Sequence, residues 1–199
     1  VIANISRSAT LFLTKTMFSV ALAVLLLFLP GAYPFQPIQL TLFSSLAIGI
    51  PSFILALEPN TARVKGKFLL SVLERALPAA LTIVLGTVAC MIMAGPLGHD
   101  MSEVSTMAVI FTVCVGLISL VRVCWPFNLI RAGLVLACAA AFAVGIFCLP
   151  GLFKLIRLDM HQGLILLGMV AAACPTMLGI DKLIRRIPAF AHNRELEEQ

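Results

Sequence analysis

Polar residues along this chain come in short groups. Between them run six stretches of about 20 almost wholly apolar positions. At about 1.5 Å per residue each can cross a bilayer core of roughly 30 Å as a helix. The pattern predicts an all-α polytopic bundle of six transmembrane helices over 9–29, 38–57, 76–94, 104–121, 132–149 and 163–180. They are expected to form a single transmembrane domain over 1–199. The chain opens on Val1 with no signal-peptide pattern, and is expected to be a fragment of a longer protein. A polar helical lead, NISRS at 4–8, precedes the first span. Turn residues punctuate the rest: Pro30 with Gly31 and Pro34, Gly95 with Pro96 and Gly98, and Pro150 with Gly151. Pro78 is expected in the first turn of the third span, where a missing N–H costs little.

The second span differs from a simple anchor. Ser44 and Ser45 sit in its middle, and Gly49 and Pro51 follow. Pro51 has no N–H and its ring clashes one turn back, so the helix is expected to kink or open near Ala47. Carbonyls freed inside a membrane are tolerated only where protein or a polar cavity receives them, and transporters place ion sites at such breaks. A kinked packing helix is the other reading, because Pro and Gly are common in membrane helices.

Composition agrees with a membrane protein. The chain is 61% hydrophobic and 12% charged, with a mean hydropathy of +1.08. The net charge of +5 marks topology, not nucleic acid, since the basic residues cluster between apolar spans. Of 14 Lys and Arg residues, Lys154 and Arg157 alone fall on one side, and Lys15 lies inside a span. The rest share the side of the two termini, which are therefore both expected to be cytoplasmic in a multi-pass cell-membrane protein. The six cysteines lie in or at the ends of spans without a C-x-x-C pair, and are read as buried, reduced thiols.

Lys15 lies about 9 Å into the first span by helical rise. An intramembrane Lys costs a few kcal/mol and points to function by default, although a long stem can also snorkel to the headgroups. Lys15 and Ser19 form an i,i+4 pair, with Thr16 beside them. Ser and Thr in membrane helices also bond back to the preceding turn. Every carboxylate is expected in a loop, at a span end or in the tail, so these spans alone suit a hard divalent cation poorly. Such an ion would need acids from elsewhere, or carbonyls freed at the Pro51 break. Cys174-Pro175-Thr176 is one thiol, not a thiolate pair, and no metal ligand is assigned. His99, His161 and His192 are expected at the interface.

The lead VIANI, the first span LFLTKTMFS, the stretch PFQPIQLTLFSSLAIGIPSFILALEPN and the loop RVKGKFLLSVLERALP resemble the C-terminal membrane region of P-type cation-transporting ATPases. The bacterial branch of cation-transporting ATPase E and calcium-exporting ATPases is the nearest in pattern. The resemblance is specific over 4–78 and spans the whole chain as six helices, the last six of ten. It implies a parent enzyme that hydrolyses ATP with Mg²⁺ to translocate a cation, calcium by preference. This chain has no DKTG, TGE or GDG-x-N-D motif, so it is not active alone and binds no cofactor itself. Its partners would be the first four helices, the actuator, phosphorylation and nucleotide domains, membrane lipids and the transported cation, with no nucleic acid. The loop with Arg63, Lys65 and Lys67 would couple it to the phosphorylation domain.

Lys15, Thr16, Ser19, Ser44, Ser45, Gly49 and Pro51 are the ion-pathway candidates. Aligned on Asn4, Gln39-Leu40, Gly49 and Pro51, the calcium pumps of animal reticulum carry Asn and Glu where this chain has Thr16 and Ser19. They carry Asn, Thr and Asp where it has Ser44, Ala47 and Ile48. Those carboxylates are missing here, so a two-calcium site is not implied. A single site centred on the absent fourth helix fits better, with Lys15 as a built-in counter-cation. The competing readings are a free-standing six-helix secondary transporter or channel, and a non-transporting membrane scaffold.

Overall fold

The computed structural model describes residues 2–28, 33–58, 67–97, 100–188, 190 and 193. Helices α1 (Ile2–Leu26), α2 (Pro37–Phe43), α3 (Ile50–Leu57), α4 (Phe68–Leu97), α5 (Met101–Cys124), α6 (Leu129–Cys148) and α7 (Met160–Arg185) follow in order. A π-helical turn, Ser44–Gly49, joins α2 to α3, so that Pro37–Leu57 runs as one span. Among the described residues there are six spans of membrane length and no strand.

Several helices start where the sequence offers a cap. Asp100 and Glu103 form a reciprocal capping box on α5, and Asp159 and Gln162 do so on α7. Asn128 accepts from Arg131 N–H at 3.1 Å and starts α6.

Helix α5 is the centre of the bundle. It contacts α1, α2, α4, α6 and α7. Its most apolar window is 72% buried, against 28% for α6 and 17% for α7. Small residues on it let neighbours approach. A side chain at Gly116 would meet Phe43 of α2 at 2.6 Å and Ala47 at 2.9 Å. Helix α1 turns a stripe with Leu11, Thr14, Phe18 and Leu22 inwards, at helical spacing. The hydroxyls on that stripe are spent locally: Thr14 donates to Thr10 O and Thr10 to Ser6 O, both at 2.8 Å.

Three expectations need correction. First, the helix that carries the third span begins before residue 76. Helix α4 starts at Phe68, so Pro78 lies inside the helix rather than in its first turn. The amphipathic segment before it continues the helix because Val72, Ala76 and Ser71 find a packed face to bury. Glu74, expected in a loop, is consequently a buried residue of α4. Second, the thiols are all free but not all buried, since Cys148 and Cys174 are exposed on the bundle surface. Third, the Pro51 break does not open the helix. The π turn widens it, with Ile50 N–H donating to Ser45 O, and Ala47 stays buried. One extra residue in the turn accommodates the proline ring. A side chain at Gly49 would come to 3.3 Å of Ser44 O, so the turn is tight there.

On the side away from the termini, the α6–α7 loop folds back onto the bundle. Gln39, 1% exposed, holds it. Gln39 Oε1 accepts from Ser105 Oγ at 2.7 Å and Gln36 N at 2.9 Å, and Nε2 donates to Lys154 O at 3.4 Å. Lys154 itself has a φ of 50°, in the left-handed region. Gln39→Ala leaves the Ser105 hydroxyl unpaired in the interior and is expected to cost about 1–3 kcal/mol, read as a lower thermal midpoint.

Candidate ion-pathway site

Lys15 and Ser44 meet. Lys15 Nζ donates to Ser44 Oγ at 2.6 Å, and Ser44 Oγ donates to Leu40 O at 2.7 Å. The contact joins the middle of α1 to the first residue of the π turn. It follows from the fold: Phe18, one turn beyond Lys15 on α1, packs edge-on against Phe43 at 5.4 Å and Phe35 at 6.3 Å. These rings bring the two spans together with the lysine beside them.

The pair lines an open groove of about 470 Å³, with Tyr33, Phe35, Leu40 and Thr41. Ser19 lies at the same end, near the Tyr33 hydroxyl. Burial pushes the Tyr33 phenol up from its ordinary value, partly offset by Ser19. The Lys15 head is taken by a hydroxyl between two spans.

The other candidates fall elsewhere. Thr16 is exposed and donates back to Phe12 O at 3.2 Å. Ser45 and Gly49 are exposed outside the groove lining, and Pro51 is buried. Arg63 and Lys65 lie outside the described residues. Lys67 is tied down by its backbone, whose N–H donates to Asn193 Oδ1 at 2.6 Å, while Asn193 Nδ2 donates to Ser71 Oγ at 3.0 Å. Among the described residues no three His, Cys, Asp or Glu side chains converge. Cys174 is exposed, and Thr176 bonds back to Ala172 O.

Sequence reading missed a buried ionic knot at the end of the bundle that carries the termini. Glu58, where α3 ends, accepts from Arg131 Nε at 2.8 Å and Asn128 Nδ2 at 2.7 Å, with Arg7 Nη1 at 3.9 Å. Arg131 Nη1 also donates to Pro126 O, and Asn4 donates to the Glu58 carbonyl. The knot therefore ties α1, α3 and the α5–α6 connection together. Its signal was a carboxylate directly at a span end, facing a loop that was read for its charge alone.

No family model matches the chain. Relatives do. It is 37% identical over 173 residues to the calcium-transporting ATPase CtpE of Mycolicibacterium smegmatis, a match covering 80% of this chain and 22% of that protein. With CtpE of Mycobacterium bovis the identity is 38% over 164 residues, covering 75% and 20%. With the probable cation-transporting ATPase exp7 of Streptococcus pneumoniae it is 33% over 165 residues, covering 79% and 21%. The chain thus spans about a fifth of the length of the curated relatives it matches. With six membrane-length helices to set beside that likeness, the chain belongs to the P-type cation-transporting ATPases, as a stretch of their membrane region.

Proposed function

We propose that this chain is the C-terminal membrane part of an ATP-driven P-type cation pump. It walls the ion pathway and links it mechanically to the phosphorylation domain. Both termini face the cytoplasm, and calcium is the transported ion, as the names of two relatives suggest. ATP and Mg²⁺ act on the parent's soluble domains.

The Lys15–Ser44 contact carries this reading. A lysine head deep in a membrane segment is costly unless it serves something. Here it sits where the helix is widened, beside an open groove with no carboxylate in its lining. In that place Lys15 acts as a built-in counter-cation. Its charge repels a transported ion on one side of the cycle and occupies the vacated pathway on the other. Ser44 and Ser19 supply oxygens, and Gly49 and Pro51 hold the widened turn. The fixed position of Lys67 against Asn193 supports the coupling role of the loop with Arg63, Lys65 and Lys67.

The test uses the full-length pump in liposomes, with ATP hydrolysis followed against Ca²⁺, Mg²⁺, Mn²⁺, Zn²⁺, K⁺ and Na⁺. Ca²⁺ alone stimulates. Lys15→Met lowers the half-saturating ion concentration by about tenfold, because a charge a few ångströms from the pathway is removed. Unchanged ion dependence in that variant rejects the role of Lys15. No ion-dependent hydrolysis in the wild type rejects the cation pump.

A further inference from the structure

Four arginines from four different helices border one cavity at the end of the bundle that carries the termini. Arg7 of α1, Arg75 of α4, Arg122 of α5 and Arg185 of α7 line a space of about 250 Å³, with Ser119 and Trp125. That space equals about eight waters. Such a set of like charges is costly to gather without an anion.

The described acids do not balance it. Asp181 takes Arg122 Nη2 at 3.1 Å and Arg185 Nη2 at 2.7 Å. Glu58 is engaged chiefly by Arg131, and Arg7 reaches it only at 3.9 Å. Glu74, next to Arg75, is buried and does not line the cavity. Five arginines thus stand against three carboxylates. Arg7 Nη1 is buried without a hydrogen-bond partner. Arg7 and Arg75 line the same space with like charges.

We propose that this cavity binds the phosphate of an anionic phospholipid from the leaflet on the side of the two termini. Guanidinium groups match phosphate oxygens in bidentate pairs, and basic pockets between membrane helices suit acidic headgroups. The position selects lipid over a free anion. The cavity lies where the spans end, and Trp125 on its rim is 71% exposed, at the depth where indole rings sit among headgroups. Phe127 and Leu129, both exposed, continue an apolar surface for acyl chains. A zwitterionic headgroup would bring an ammonium group against the arginines and is disfavoured.

The experiment is native mass spectrometry of the full-length protein in detergent, with phosphatidylglycerol and phosphatidylcholine offered in equal amounts. A parallel arm adds inorganic phosphate. The wild type retains phosphatidylglycerol at least about tenfold better, a difference of ~1.4 kcal/mol. Arg75→Gln with Arg185→Gln abolishes the preference, and Lys182→Gln, on the same turn of α7 but outside the lining, preserves it. The thermal midpoint of the wild type rises with phosphatidylglycerol, and that of the double variant does not. Equal retention of the two lipids, or a preference that survives in the folded double variant, overturns the proposal. Displacement of the lipid by an equal concentration of phosphate makes the site a free-anion site and overturns it as well.

Discussion

Glu58→Ala lowers the stability of the membrane region by about 3–5 kcal/mol, the loss expected when one partner of a buried ion pair is removed. The side chains of Glu58 and Arg131 are only 6% and 10% exposed, so water cannot replace the missing carboxylate. Arg131 keeps its bond to Pro126 O, and the Asn128 amide loses its acceptor. Arg7 then faces Arg131 with nothing between them. The variant is expected to unfold at a markedly lower temperature and to accumulate poorly. Glu58→Leu combined with Arg131→Met recovers much of the loss, because an apolar pair of similar volume carries no stranded charge. A thermal midpoint for Glu58→Ala within a degree of the wild type would show that the knot contributes nothing.

The second large effect is steric. A side chain at Gly86 would place its Cβ 1.9 Å from Phe111 Cε1 and 2.2 Å from Cζ. Phe111 is 3% exposed and belongs to the packed core. Helices α4 and α5 must therefore separate or the ring must leave its rotamer. Overpacking of this kind costs about 1–3 kcal/mol or more, so Gly86→Val is expected at or above the top of that range. Because the strain belongs to one contact, Gly86→Ala with Phe111→Leu is expected to be more stable than Gly86→Ala alone. Additive losses in that cycle would place the clash elsewhere.

These two sites show what a sequence can and cannot disclose about a bundle. Spans are legible because about 20 apolar positions in a row have few alternatives. Helix ends are less so. Glu74 and Arg75 look like loop residues by charge, yet α4 runs through them since its inner face packs. The Pro51 break was legible as an irregularity but not in kind, because whether a turn widens or opens depends on what packs around Ala47. Lys15 stood out as a charge inside a span. Its bond to Ser44 bridges 29 positions in sequence, and no periodicity reports which faces of two spans will meet. The arginines suffered the opposite fate. Each was absorbed into a topology argument, and their convergence from α1, α4, α5 and α7 is a property of the assembled bundle.

The central place of α5 sets an order on biogenesis. A ribosome delivers α1 to α4 before α5 exists, and α5 is the helix that contacts most of them. Until it arrives, Gln39 has no Ser105 and Phe43 has no Gly116 to rest against. The early helices must therefore wait in the bilayer, or beside the insertion machinery, with polar groups provisionally satisfied. Assembly of this region is post-insertional: α5 closes the packing of the spans of this region that precede it.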